Sequence, residues 1–251
     1  MGSNEDWVAW GRVDPNFGVS SIPGKELTSD NPWTREQILE LGRAHWQGYR
    51  AQWSQYGLDP ESCVEIGCGV GRITAQLAES FQRVFALDVS PDMIEQARQG
   101  VPSSVEFHLT TGADIPLPAD LATAAFSSFV FQHFDRRATA TAYFRELYRV
   151  LKPGGTLLIQ LPLYAWPVTP RLFESQYKAR KRLGDLRSRY RRWRAGRGGR
   201  PNLRFLAYDA EGLRATLEEL GFRDVEFRIF RIPKAQRPQS AVLARKPSGR
   251  A

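Results

Sequence analysis

A chain of 251 residues with 42% hydrophobic and 25% charged residues sits near the average for globular proteins, which excludes collagen-like, disordered and disulfide-stapled miniature classes. Its formal charge of +8 is confined to one stretch: from Arg171 to Arg204 eleven Arg, two Lys and two acids give a local +11, which leaves the remaining chain at −3. The longest apolar runs, around Leu121 to Phe131 and Thr156 to Trp166, fall short of the ~18 residues of a membrane-spanning helix.

In chain order, MGSNEDW shows no secretory pattern, so a cytoplasmic location is expected. A Trp-rich, Pro- and Gly-containing lead-in follows, then a helix over 34–56 opened by the capping box Thr34-x-x-Gln37. Residues 1–60 thus read as an aromatic segment and cap helix, ahead of a domain over 61–251. From Ser62 the pattern alternates: strand SCVEIG, helix 72–80, strand VFALD, helix 91–99, strand VEFHLT. Next come a strand over 125–131, a helix over 137–150, the turn Lys152-Pro153-Gly154-Gly155 and strand TLLIQL. The βαβ succession predicts a mostly parallel sheet between two helical layers, an α/β three-layer sandwich. An insertion over 163–207 carries Phe173, Tyr177, Leu183, Leu186, Tyr190 and Trp193 at mostly helical spacing, a basic amphipathic helix. A helix over 209–220 and strands VEFRIF and SAVLAR finish the chain as an antiparallel hairpin at one sheet edge.

Cys63 and Cys68 match neither a redox pair nor a zinc knuckle, and His45, His108 and His133 form no paired ligand motif. Reduced thiols and no protein-held metal are expected.

VEIGCGVGR places Gly67, Gly69 and Gly71 after the first strand, where backbone N–H groups can approach a ligand closely. A dinucleotide fingerprint would need glycine where Arg72 stands. Asp88 ends the second strand, 21 residues after Gly67, where a carboxylate can accept both hydroxyls of a ribose.

VEIGCGVGRIT, ALDVSPDMIEQAR, the segment FVFQH and YRVLKPGGTLLI, in this order over residues 60 to 162, resemble a class I S-adenosylmethionine-dependent methyltransferase. The resemblance implies the strand order 3-2-1-4-5-7-6. It implies S-adenosylmethionine as cofactor and S-adenosylhomocysteine as product. It also implies roles: Glu65 organising the glycine loop, Gly67, Gly69 and Gly71 admitting the methionine portion, and Arg72 near its carboxylate. Asp88 would hold the ribose, Val89 and Met93 would flank the adenine, Ala113 and Asp114 would lie near its amino edge, and Phe129 would offer backbone to the ammonium. Thr110-Thr111-Gly112-Ala113-Asp114 and Ala122-Thr123 depart from the family pattern, so the adenine-contacting acid is Asp114 or absent.

His133, just beyond the fourth strand, is the histidine placed to take a proton from an acceptor. The expected activity is methyl transfer to oxygen or nitrogen of a small molecule, of anionic, sugar or specialised-metabolite class. The Arg-rich insertion reads as a solvated face, as a docking helix for RNA or an anionic membrane, or as a lid over that acceptor; the resemblance, which puts this position beside the acceptor site, favours the lid. The competing readings are a nucleic-acid-associated methyltransferase using the same arginines and a cofactor-binding regulator without turnover. Nothing in the sequence reports the oligomeric state.

Overall fold

A computed structural model describes residues 2–164 and 205–249, apart from Pro23 and Gln236. Its body is a seven-stranded sheet. Strands β1 (Ser62–Ile66), β2 (Arg83–Asp88), β3 (Val105–Leu109), β4 (Ala122–Ser127) and β5 (Leu151–Gln160) run parallel. Two-residue strands β6 (Leu163–Tyr164) and β7 (Tyr208–Asp209) pair separately. The last strands, β8 (Arg223–Phe230) and β9 (Gln239–Arg245), form the hairpin, with β9 also antiparallel to β5. The sheet order β3-β2-β1-β4-β5-β9-β8 is the expected 3-2-1-4-5-7-6 once β6 and β7 are set aside.

Because side chains alternate across a strand, each strand feeds two cores. Val64, Ile66, Phe85, Leu87, Leu157 and Ile159 face one layer, where helix α6 (Arg137–Val150) contributes Phe144 and Leu147. Cys63, Val84, Ala86, Phe126 and Leu158 face the other. That second layer holds α3 (Arg35–Tyr56), α4 (Thr74–Ser80) and α5 (Pro91–Arg98); the helix between β7 and β8, α7, spans Ala210–Glu219 on the α6 side.

Helix α3 opens with the predicted box, Thr34 and Gln37 bonding reciprocally. Its inner face is aromatic: Trp46, Tyr49, Trp53 and Tyr56 are buried, and the indoles of Trp46 and Trp53 donate to Ser80 and Thr156 at 2.9 Å each. Aromatic surface this large, with the tips of Trp46, Trp53 and Tyr56 hydrogen-bonded, fastens the N-terminal segment to the sheet.

The structure differs from the sequence expectations in four places. Two helices, α1 (Ser3–Val13) and α2 (Pro15–Val19), stand in the predicted lead-in; Asp14 caps α2 through Phe17 N–H, and Pro15 suits its first turn. Helix α4 begins at Thr74, not residue 72, because the glycine loop keeps the chain in turns up to Ile73. The fourth strand covers Ala122–Ser127, earlier than expected, and the chain then turns into a 3-10 segment, Phe131–His133. Lys152–Gly155 lie within β5 as a bulge, since Ala122 pairs with Leu151 and Ala124 with Thr156. The basic segment from Arg171 to Arg204 lies outside the described residues. Among the described residues no helix is long and apolar enough to cross a membrane, and no group of three His, Cys, Asp or Glu side chains could hold a metal ion.

Candidate active site

A cavity of about 360 Å³ opens at the carboxyl ends of β1, β2 and β4, the crevice where ligands bind in sheets of this kind. Its floor is the loop after β1. Gly67, Gly69 and Gly71 all have positive φ (75°, 53° and 79°), and Gly67 and Cys68 donate to the Leu87 carbonyl at 2.8 and 3.0 Å. A side chain at Gly67 would in addition collide with Val130. The loop is therefore pinned to β2 in a form that only glycine adopts without strain.

Asp88 lines the cavity at the end of β2 and is 7% exposed. Its carboxylate accepts from Gly69 N at 2.8 Å and Ser90 N at 2.9 Å, one bond per oxygen, so each oxygen keeps capacity for a ligand hydroxyl. Burial raises its pKa, and the backbone donors pull against that.

Glu65, on β1, accepts from the Thr74 hydroxyl at 2.6 Å. Burial, against that hydrogen bond and reinforced by the Asp88 charge, pushes its carboxyl up to about 7. A carboxyl that binds its proton more tightly in the fold than in the unfolded chain, from 4.5 to about 7, lowers stability as pH rises through that window. Glu65→Gln, which keeps an acceptor for Thr74, is therefore expected to be more stable than the parent at pH 8, with the gap closing towards pH 5. Urea denaturation of the ligand-free protein at both values tests this, and a gap independent of pH would count against it.

Arg72 is 6% exposed, and among the described residues it forms no ion pair. One guanidinium nitrogen lies 2.6 Å from Nδ1 of His45 on α3. The ring of Phe129 lies beside both, 5.5 Å from the guanidinium and 5.9 Å from the imidazole, to which it is tilted by 37°. Phe129 sits at φ 60°, a strained backbone for a bulky residue, and its N–H donates to the Gln160 side chain at 2.7 Å. Burial, then the Arg72 charge, holds the His45 imidazole down to about 3. A buried cation with no contacting anion among the described residues, a buried donor with no acceptor among them and a carboxylate with spare lone pairs fit the carboxylate and ribose of S-adenosylmethionine.

Of the residues named from sequence, Glu65, Gly67, Gly69, Arg72, Asp88, Val89, Met93, Phe129 and His133 line this one cavity. Gly71, Ala113 and Asp114 do not. Gly71 lets the loop pass α5, where a Cβ would meet Ala97 at 3.1 Å. Ala113 packs towards the core, and Asp114 is exposed because the Thr110 hydroxyl bonds the carbonyls of Gly112 and Asp114 and curls the segment outward. Thr110 and Tyr143 take the places on the wall. The roof comes from α1, α2 and the residue after them: Ser3, Asn4, Trp7, Val19 and Ser20. Ser3 N donates to Asp135 at 3.1 Å and Asn4 to the Thr111 carbonyl at 2.8 Å, which ties α1 across the opening. His133 meets the Trp7 ring edge-on at 5.1 Å, and its Nε2 lies 3.0 Å from the Gln132 amide.

Residues 64–159 match the family model of the methyltransferase domain. The sheet order and the glycine loop accord with a methyltransferase domain over these residues. It is 37% identical over 125 residues to the malonyl-[acyl-carrier protein] O-methyltransferase of Serratia marcescens, covering 49% of this chain and 42% of that one. It is 34% identical over 134 residues to the trans-aconitate 2-methyltransferase of Azoarcus sp. (strain BH72), covering 52% and 51%. The match thus spans about half the length of these curated relatives. Among solved structures, the magnesium protoporphyrin IX methyltransferase of Synechocystis PCC 6803 with bound S-adenosylhomocysteine superposes with a TM-score of 0.57 at 17% identity, covering 87% of this chain and 90% of that one.

Proposed function

We propose that the protein transfers a methyl group to an oxygen or nitrogen of a small, anionic acceptor. The observation that carries this reading is a single roofed cavity in which Asp88 and the glycine loop meet Trp7, Gln132 and His133. When bound, S-adenosylmethionine supplies a methyl group already activated on sulfonium, so alignment and exclusion of water are the main demands on the protein. Asp88 holds the ribose, and the glycine loop and Arg72 receive the methionine end. Val89 and Met93 bracket the base, with Thr110 and Tyr143 at its edge. The roof of α1 and α2 excludes water, and Trp7 with Gln132 orients the His133 imidazole towards the acceptor.

The two curated relatives are named for malonyl and trans-aconitate acceptors, both carboxylic acids. An ionised carboxylate has no proton to lose, so towards it His133 serves as a hydrogen-bond donor; towards a hydroxyl it serves as the base. The arginines between Arg171 and Arg204 supply the positive field that a body at −3 lacks.

Transfer of labelled methyl groups to a panel of carboxylic acids and alcohols tests the reading. His133→Ala is expected to lower kcat/KM by about tenfold with a carboxylate and by about 10²-fold or more with a hydroxyl, with S-adenosylhomocysteine affinity unchanged. No transfer by the parent protein to any acceptor would overturn the function, and full turnover by the variant would remove His133 from it.

A further inference from the structure

We infer that His45 is a binding residue for a carboxylate, acting with Arg72 as a two-donor clamp at the inner wall of the cavity. This deepens the proposed function and rests on it.

The argument starts from donors and acceptors. A guanidinium only donates, so the 2.6 Å contact with Arg72 requires His45 Nδ1 to accept, and the proton of the neutral ring then sits on Nε2. That Nε2–H is buried and has no hydrogen-bond partner among the described residues. His45 is 5% exposed, yet its side chain lines the same cavity as Arg72 and Phe129. A buried donor left unpaired is destabilising, and native proteins rarely tolerate one without use.

Two further features hold this donor in place. Gly42, one turn before His45 on α3, allows the helix to lie directly on the Arg72 backbone, where a Cβ would come within 2.8 Å of the carbonyl carbon. The Phe129 ring packs beside the imidazole and the guanidinium, which restricts how far either can swing. The pair therefore presents one neutral and one cationic donor, neither in contact with a carboxylate among the described residues. An incoming carboxylate answers both: one oxygen takes the guanidinium, the other the imidazole N–H. The carboxylate is that of the cofactor's methionine end or that of an acid acceptor, and these can be told apart.

The test uses calorimetry with S-adenosylhomocysteine, with 5′-methylthioadenosine, which has the nucleoside but no carboxylate, and with citrate added to protein saturated with S-adenosylhomocysteine. His45→Asn keeps an acceptor for Arg72 and loses the far donor; His45→Gln keeps a donor near the Nε2 position. If the clamp holds the cofactor, His45→Asn weakens S-adenosylhomocysteine by roughly 10- to 100-fold, leaves methylthioadenosine unchanged, and His45→Gln recovers most of the loss. A loss confined to citrate assigns the clamp to the acceptor. Equal losses for S-adenosylhomocysteine and methylthioadenosine would reduce His45 to a structural role, and no loss with any probe would overturn the clamp. Should His45→Asn not fold, proton NMR of the parent decides: the His45 Nε2–H resonance moves downfield and gains exchange protection on adding the carboxylate ligand, and an unmoved resonance overturns the inference. Failure of the parent to bind S-adenosylhomocysteine at all would overturn the proposed function instead.

Discussion

Asp88→Ala is expected to weaken S-adenosylhomocysteine binding by at least about 100-fold, the largest effect of any single side chain in the cavity. The substitution acts twice. It removes the acceptor for the ribose hydroxyls, and it frees the N–H groups of Gly69 and Ser90, both now satisfied by one buried carboxylate. Each orphaned buried donor is worth about 1–3 kcal/mol, and Gly69 belongs to the loop that receives the ligand. Asp88→Asn, which retains one carbonyl oxygen, is expected to fall between the parent and Asp88→Ala. Calorimetry supplies the affinities and thermal melting separates the loop effect from the ligand effect. Unchanged affinity in Asp88→Ala would remove this residue from the site and with it the main support for the cofactor placement.

Gly42→Ala is expected to lower the melting temperature by up to about 8 °C, although alanine is the better helix former by ~1 kcal/mol. The added Cβ would overlap the Arg72 carbonyl oxygen and sit 2.8 Å from its carbon and 2.9 Å from its Cγ. The obstacle is backbone, and that backbone is held by hydrogen bonds from Gly71 N to Cys68 O and from Ala75 N to Gly71 O, so it cannot give way cheaply. Overpacking of this kind destabilises by about 1–3 kcal/mol. S-adenosylhomocysteine affinity should fall as well, because the displaced residue is Arg72. Gly112→Ala is the control: a Cβ there meets nothing within 4 Å, and its backbone is not left-handed. Equal melting temperatures for Gly42→Ala and the parent would mean that α3 can lift from the loop freely.

The difference between these two glycines was not visible in the chain. Gly42 lies in a run that reads as a good helix, and its value depends on a contact with a residue thirty positions away. Gly67, Gly69 and Gly71 could be read, because clustered glycine between a strand and a helix has few local explanations. Asp88 could be read for a similar reason, as the acid that ends the second strand. Gln160, which holds Phe129 N–H from across the sheet, gave no local signal.

The adenine edge shows the opposite case. The resemblance points to Asp114 or to no acid at all, and the Thr110 hydroxyl, sharing its proton between the carbonyls of Gly112 and Asp114, leaves Asp114 in solvent. A side chain bonding its own loop can redirect the residues two to four positions on, and neither periodicity nor composition records that choice.

Local patterns in this sequence determined the alternation of strand and helix, the capping of α3, the left-handed turn after β1 and the confinement of positive charge to 171–204, because each depends on residues within a few positions of one another. Tertiary structure alone decided which of those elements meet. It laid α1 and α2 over the cavity, although their polar, Pro-interrupted sequence reads as a lead-in, since Trp10 and Phe17 find their buried apolar partners only in Ile38 of α3, Val70 of the glycine loop and Met93 of α5. It also set His45 against Arg72, 27 residues apart, and so turned a lone histidine on an aromatic helix into a neutral ring with one unspent donor, a state that the separate sequence positions do not encode.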